Sequence, residues 1–251
     1  MKKADRGKKI IYGIAAAVFW VLVWQLVSMA VGSHIILPGP VRVLKSLLQL
    51  VQTQAFRKTV WTSFWHIAAG FAAAVAAGVL LAAAAYFCLP LKVVISPLMR
   101  LIKAVPVASF IILILLWINS RQLPAVIAFL MVVPVIYINV LAGIESTDPQ
   151  LLEMSQVYGI TGLRKLKYIY VPAVMPHFIS GISVGLGFCW KSGIAAEVIG
   201  LTPNAIGSRL YEAKLYLMTD ELFAWTIVIV VISVIFEKLV MTAVRGLTRG
   251  R

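Results

Sequence analysis

Six long apolar runs constrain what this 251-residue chain can fold into more than any other feature of its sequence. They cover residues 10–31, 60–87, 95–117, 124–144, 176–200 and 222–244. An α-helix needs about 20 mostly apolar residues to cross the hydrocarbon core of a bilayer. Because 61% of the residues are hydrophobic, against roughly 45–50% in a soluble domain, a water-soluble fold is excluded. The sequence predicts an all-α polytopic membrane protein with about six transmembrane helices.

Two of the runs are less regular than the others. Arg100, Lys103 and Pro106 interrupt the third run, so we expect its membrane-embedded part to begin near Ala104. The first run could be a cleaved signal peptide, but it is longer than the roughly 7–15 apolar residues of a typical signal sequence. We therefore interpret it as a retained anchor. The predicted organisation is a cytoplasmic N-terminal tail of residues 1–9 and a single transmembrane domain of residues 10–251.

The charge of the chain is unevenly distributed, with 23 Lys and Arg residues against 9 Asp and Glu residues. Basic residues mark the cytoplasmic side of membrane proteins. They gather before the first run, between the fourth and fifth runs and after the sixth: Lys2, Lys3, Arg6, Lys8, Lys9, Arg164, Lys165, Lys167, Lys238, Arg245, Arg249 and Arg251. One segment disagrees with a cytoplasmic location of these basic residues. Residues 32–58 would be external, yet they include four basic residues. We follow the three other segments because they agree with one another. Both termini are predicted to be cytoplasmic, and no nucleic-acid partner is needed to explain the net charge of +14.

Small residues recur at helical spacing in the second and fifth runs. They are Gly70, Ala74, Gly78, Ala82, Gly181 and Gly185. Small side chains let helix backbones approach closely within a membrane. The pattern favours packing between helices of the same chain, and an interface with another subunit is the alternative.

Polar residues in the fifth run form the candidate translocation pathway. These are Trp190, Lys191, Ser192 and Glu197. An ionisable side chain at this depth is costly, and it points to a cavity, a pathway or a polar partner. Glu197 lies six residues after Lys191, about 120° around a helix, so the two do not stack as neighbours. Two interpretations stay open, that these side chains line a pathway or that each pairs with a polar group on another helix.

The residues that would support catalysis or cofactor binding do not form a recognisable site. Lys191 and Ser192 follow Trp190, where a phosphate-binding P-loop requires glycine. The histidines are scattered, the two cysteines suggest neither a disulfide nor a metal site, and the acidic residues form no acid–base pair. A membrane enzyme is therefore poorly supported, and no metal or other cofactor is predicted in this chain.

The segment between the fourth and fifth runs is predicted to form two short helices joined by a turn. Asp148 can cap the first helix, with Pro149 at its first position. Gly159 can supply the left-handed residue that ends it. Thr161 can cap the second helix, which we expect Pro172 to stop.

The second predicted helix is amphipathic. One face carries an apolar stripe of Leu163, Leu166, Ile169 and Tyr170, and the other carries Arg164, Lys165 and Lys167. A helix resting on anionic lipid would account for the basic residues but not for the preceding turn. The whole segment therefore indicates a docking element on the cytoplasmic face.

This docking segment resembles the EAA loop of ABC importer permeases, whose pattern is E-A-A, three residues, G, nine residues, I, one residue, L-P. The residues at the matching positions are Glu153, Met154, Ser155, Gly159, Ile169, Val171 and Pro172. Met154 and Ser155 replace the two alanines and Val171 replaces leucine, while the spacing is unchanged. The resemblance implies a cytoplasmic coupling loop over residues 145–175 on which an ATPase subunit sits.

Other segments are similar to the nitrate/sulfonate/taurine-type permeases. Residues 37–40, Leu-Pro-Gly-Pro, look like the L-P-S-P motif of that family. Residues 63–71 resemble its S-L-x-R-x-x-x-G-F motif, with His66 in place of arginine, and residues 97–106 resemble its P-L-x-x-x-x-x-x-P segment. The resemblance identifies the chain as a type I ABC importer permease in the inner membrane of a prokaryote.

The resemblance also implies the partners and the substrate class. The expected partners are ATPase subunits that bind ATP and Mg²⁺, an extracytoplasmic solute-binding protein and a second copy of the permease. The expected solute is a small organic anion such as a sulfonate, taurine or nitrate, or else a thiamine-pyrimidine-type precursor. An autonomous ion-coupled carrier or channel is the alternative function, although the chain has no obvious inverted repeat.

Overall fold

The computed structural model describes residues 2–249 of the chain, with side chains for residues 12–246. Every regular element within residues 2–249 is helical. The helices are α1 (Lys2–Val31), α2 (Pro40–Val51), α3 (Gln54–Phe87), α4 (Leu89–Ala104), α5 (Val107–Ile114), α6 (Leu123–Glu145), α7 (Pro149–Val157), α8 (Gly162–Lys165), a π-helical segment (Leu166–Tyr170), α9 (Val171–Gly200), α10 (Ile206–Leu215) and α11 (Thr219–Arg249). The predicted all-α class is confirmed.

Among the residues that the structure describes, five stretches of helix are long and apolar enough to cross a membrane. They are Tyr12–Val31, Gln54–Phe87, Leu123–Glu145, Gly162–Gly200 and Thr219–Gly246. The pair of α4 and α5 adds a sixth span if it is one broken crossing. This agrees with the predicted number of about six.

The predicted interruption of the third run is a bend of 105° between α4 and α5. Val105 has extended backbone angles because the ring of Pro106 disfavours a helical conformation in the residue before it. α5 then begins at Val107, close to the predicted position, but it ends at Ile114, earlier than predicted. The third run is therefore two helices rather than one.

The chain forms two compact units. One contains the residues up to Arg57 together with Arg209–Val228, and the other contains Lys58–Ser208 together with the residues from Ile229 onward. The basic residues predicted to mark the two ends of the chain include several that lie outside the residues whose side chains the structure describes: Lys2, Lys3, Arg6, Lys8, Lys9, Arg249 and Arg251. The cytoplasmic orientation of both termini stays a prediction.

In the first unit, two hydrogen bonds hold the turn between α1 and α2 against α1, and an aromatic contact joins α1 to α11. The indole of Trp24 donates to the carbonyl of Pro38 at 3.1 Å, and it stacks on Phe223 with ring centroids 5.7 Å apart. The hydroxyl of Ser28 donates to the carbonyl of Leu37 at 2.8 Å. The Leu-Pro-Gly-Pro segment is thus an ordered turn that positions the start of α2.

In the second unit, the small residues of α3 lie against α6. A Cβ atom at Gly70 would be 2.3 Å from the carbonyl oxygen of Ala125, and one at Gly78 would be 2.7 Å from Cβ of Ile136. Gly70, Ala74, Gly78, Ala82, Gly181 and Gly185 are all buried. Their spacing therefore serves packing within the chain, as expected, rather than an interface with another subunit.

Candidate functional site

The first helix of the predicted coupling loop begins as the sequence predicts. α7 starts at Pro149, and the side chain of Asp148 accepts a hydrogen bond of 2.8 Å from the amide of Gln150. This bond satisfies one of the amides that lack a partner in the first turn of a helix. Both the cap at Asp148 and the proline at the first position are confirmed.

Gly159 ends α7 in the left-handed conformation, with φ of +64°. The amide of Gly159 donates to the carbonyl of Gln156 at 3.1 Å, and the amide of Ile160 donates to the carbonyl of Ser155 at 2.8 Å. This pair of bonds is the Schellman motif, which satisfies the last carbonyls of a helix. No atom lies within 4 Å of a Cβ atom built at Gly159, so glycine is required here by backbone conformation and not by space.

The second half of the loop differs from the prediction. Thr161 stands at the first position before α8, but its side chain makes no capping bond. Pro172 does not stop the helix, because the helical path continues from Gly162 through the π-helical segment into α9. The residues just before Pro172 form a wider π-type turn, and such local adjustments let a helix pass through a proline. The loop thus consists of α7 and a bent connection, residues 158–170, that leads directly into the fifth span. We call this connection the elbow.

The loop presents apolar side chains to its surroundings. Val157 is 83% exposed, Tyr158 is 74% exposed and Met154 is 45% exposed. Glu153 is also exposed, whereas Ser155 and Ile169 are buried. The predicted apolar stripe is only partly correct, because Leu163 and Leu166 are exposed, at 83% and 47%, whereas Ile169 is buried. An exposed cluster of this kind beside a rigid turn is typical of a surface that binds another protein.

Contacts that the sequence does not reveal hold the base of this loop. Nζ of Lys92, at the start of α4, lies 2.5 Å from a carboxylate oxygen of Glu145, the last residue of α6. The hydroxyl of Ser146 lies 3.3 Å from Nε2 of His177 in α9. Both contacts join residues more than 30 positions apart, and no local pattern predicts them.

Two of the candidate pathway residues pack inside the chain. Trp190 and Ser192 are each 3% exposed. The hydroxyl of Ser192 donates to the carbonyl of Phe188, one turn earlier, at 2.8 Å. Their side chains therefore face the interior of the second unit.

Lys191 points in the other direction. It is exposed on α9, and it makes no hydrogen bond or ion pair with any of the residues whose side chains are described. The exposed positions of this helix follow one another at helical spacing, at Val184, Phe188, Lys191 and Ile199. A charged side chain thus lies on an otherwise apolar stripe of a membrane-spanning helix.

Glu197 is fully buried and holds the start of α10. Its Oε2 accepts a hydrogen bond of 2.9 Å from the amide of Gly207, while the hydroxyl oxygen of Ser63 accepts one of 2.8 Å from the amide of Ile206. These are the first two residues of α10. Lys191 and Glu197 are not brought together, as the spacing predicts, and Glu197 pairs with backbone from another element.

A metal site is not apparent in the part of the chain that the structure describes. No group of three or more His, Cys, Asp or Glu side chains is arranged there to hold an ion. Cys88 and Cys189 are free thiols.

Comparison with known proteins gives consistent matches along most of the chain. The profile of the family described as binding-protein-dependent transport system inner membrane component matches residues 74–250. A putative aliphatic sulfonates transport permease protein of Bacillus subtilis is 24% identical over 92% of this chain and 84% of its own length. The taurine transport system permease protein of Escherichia coli is 26% identical over 92% and 86%. A nitrate import permease protein of Synechocystis is 21% identical over 92% and 87%.

Among solved structures, the fold is similar to a chain of an amino acid ABC transporter crystallised with histidines. The TM-score is 0.63 at 17% identity, and the match covers 82% of this chain and 98% of that chain. At this level of identity the likeness concerns the fold, which is the type I importer fold that the sequence predicts.

Proposed function

We infer that this chain, which belongs to the family of binding-protein-dependent transport system inner membrane components, forms a solute pathway together with a second copy of itself. As a member of that family it is a permease subunit of an ABC importer of the nitrate, sulfonate and taurine type. Such a subunit is not itself catalytic, because ATP is hydrolysed by a separate subunit. Family membership also argues against the alternative of an autonomous ion-coupled carrier or channel.

The segment Glu153 to Gly159 is proposed as the element that couples the permease to its ATPase. The observation that carries this proposal is the Schellman turn at Gly159, which fixes α7 relative to the elbow that leads into α9. Met154, Val157 and Tyr158 are exposed on α7 or directly after it and offer an apolar contact surface. A rigid elbow of this kind can convert movement of the ATPase subunits into movement of the fifth span, which gives alternating access.

The rest of the EAA pattern supports the elbow from inside. Ile169 is buried within the π-helical segment, and Val171 and Pro172 begin α9. In this arrangement Glu153 and Met154 face the partner, while Ser155 and Ile169 hold the shape of the loop. ATP and Mg²⁺ belong to the ATPase, and an extracytoplasmic binding protein delivers the solute.

Lys191 is proposed to line the pathway. It is an exposed cation without an acidic partner on a membrane-spanning helix, and such a side chain is stable only beside a cavity or a partner. A cation in this position favours a small anion, and the curated relatives carry names of sulfonate, taurine and nitrate permeases. Trp190 and Ser192 position Lys191 from the interior side of α9. The contact of Glu197 with α10 supports a structural role for that residue.

The proposal is tested by reconstituting the permease, its ATPase and its binding protein in vesicles and measuring uptake of radiolabelled taurine or an alkanesulfonate. We expect uptake only when all three proteins and ATP are present. Solute movement by the permease alone would identify a carrier or channel instead. Uptake of a thiamine-pyrimidine precursor in preference to the anions would contradict the proposed solute class. Cysteine cross-linking between copies along the exposed stripe of α9 tests the homodimer.

A further inference from the structure

An apolar groove lies where the coupling loop meets the membrane-spanning helices. It has a volume of about 250 Å³ and is bounded by α3, α6, the π-helical segment and the first turns of α9. Its lining side chains are aliphatic or aromatic apart from Met175, and they include Val79, Ala83, Phe87, Leu166, Tyr170 and Val174. We call this feature the elbow groove.

The elbow groove follows the last part of a membrane-spanning helix. Val79 and Phe87 are eight residues apart on α3, and a helix rises about 1.5 Å per residue, so the groove is about 12 Å long. This length is close to half of the roughly 30 Å hydrocarbon core of a bilayer. The groove therefore matches the depth of one leaflet, on the side from which the coupling loop leaves.

The lining of the elbow groove suits a hydrocarbon occupant. It offers an apolar surface about 12 Å long with almost no polar atoms. An extended acyl chain of a lipid matches both its length and its apolar character.

Basic residues neighbour, in the sequence, the part of the coupling loop that lines the elbow groove. Lys165 and Lys167 flank Leu166, which lines the groove, and Arg164 precedes them. None of the three forms an ion pair with a carboxylate among the described side chains. Nζ of Lys167 lies 5.5 Å from the centre of the Tyr168 ring, outside the packed interior. The apolar groove thus has unneutralised basic residues within two positions of its lining residue Leu166.

We propose that the elbow groove binds one anionic phospholipid per permease chain. One acyl chain fills the groove, and the phosphate lies beside Lys165 and Lys167. Basic clusters next to membrane-spanning helices on the cytoplasmic side attract anionic headgroups, which supplies the charge complementarity that a neutral lipid lacks. This assignment goes beyond transport itself, because it names a ligand for a site that the solute does not visit.

The position of the site links the lipid to coupling. Leu166 and Tyr170 belong to the π-helical segment, so one wall of the groove is part of the elbow between α7 and α9. The rings of Tyr170 and Tyr86 meet edge to face with centroids 5.9 Å apart, which fixes this wall against α3. A bound acyl chain adds contacts on the same wall, and it stiffens the elbow during the ATPase cycle.

The test uses the permease–ATPase complex in nanodiscs with equal amounts of phosphatidylglycerol and phosphatidylcholine of matched acyl chains. The complex is then extracted, and native mass spectrometry counts the lipids retained per permease chain. We expect phosphatidylglycerol to be retained over phosphatidylcholine by about fivefold for each lysine at the headgroup. Ala83→Trp, which fills the groove, should abolish this retention, and Ala84→Trp, at the neighbouring exposed position, should leave it unchanged.

A charge variant tests the other half of the site without changing the packed interior. Lys165→Gln with Lys167→Gln should lower the preference for phosphatidylglycerol to about one. Because both lysines lie in the coupling loop, the lipids are counted per permease chain whether or not the ATPase stays bound. Equal retention of both lipids by the unaltered complex would overturn the proposal, and so would full retention by Ala83→Trp. A cross-link from Ala83→Cys to a second permease copy would assign the groove to a protein contact instead. None of these readouts requires solute transport.

Discussion

The amide of Gly207 donates a hydrogen bond of 2.9 Å to Oε2 of Glu197, so a fully buried carboxylate of α9 lies at the first turn of α10. The positive end of a helix stabilises a nearby carboxylate, and the carboxylate satisfies an amide that has no partner within the helix. A Cβ atom at Gly207 would be only 2.3 Å from Cβ of Glu197. The contact therefore depends on both residues at once.

Glu197→Ala is expected to destabilise the protein by about 1–3 kcal/mol, because the amide of Gly207 would be left buried without an acceptor. Glu197→Gln keeps an acceptor oxygen and should lose less than half of that. Thermal unfolding of the purified protein in detergent measures the difference. Equal midpoints for Glu197→Ala and the unaltered chain would show that the bond contributes nothing.

Gly207→Ala is expected to be strongly destabilising, since the added methyl group would overlap Glu197 and the amide of Val198. Overpacking of this kind costs typically about 1–3 kcal/mol. Gly187→Ala is the matched control, because no atom lies within 4 Å of its Cβ position and alanine favours helix. If both variants unfold at the same temperature in detergent, the close approach of α9 and α10 is not required.

Gly159→Val is expected to abolish ATP-dependent uptake while membrane insertion survives. A non-glycine residue in the left-handed conformation costs about 1–2 kcal/mol, and a β-branched side chain is the least tolerated. Gly159→Asn should retain most uptake, since asparagine enters this region more readily. The measurement is uptake in reconstituted vesicles, normalised to inserted protein. Normal uptake by the valine variant would remove Gly159 from the coupling element.

Lys191→Met is expected to lower uptake of an anionic solute by tenfold or more, because the pathway would lose its cation, whereas Lys191→Arg should retain it. Removal of one charge contact of about 1.4 kcal/mol corresponds to a factor of ten. Initial rates of uptake at several solute concentrations provide the test. Unchanged rates and unchanged solute preference in the methionine variant would place Lys191 outside the pathway.

The sequence by itself determined the features that depend on neighbouring residues. The apolar runs predict the spans because each run must meet lipid or a partner helix along its whole length. Asp148, Pro149 and Gly159 predict the bounds of α7 because a cap and a left-handed residue act within one turn of the helix. The EAA spacing predicts the family for the same reason, since the pattern lies within one segment.

Only the tertiary structure decided which polar side chains have hydrogen-bonding partners and which are exposed without one. Glu197 and Lys191 are alike in the sequence, two ionisable residues in one apolar run, yet Glu197 caps α10 while Lys191 is exposed. Lys92 with Glu145 and Ser63 with Ile206 are joined over 53 and 143 positions. The continuation of the helix through Pro172 likewise depends on the π-helical segment, and no local sequence pattern predicts that segment. Hydrophobic periodicity predicts which face of a helix is buried, but it does not predict which other helix packs against that face. Long-range contacts depend on this packing, so they could not be predicted from the sequence.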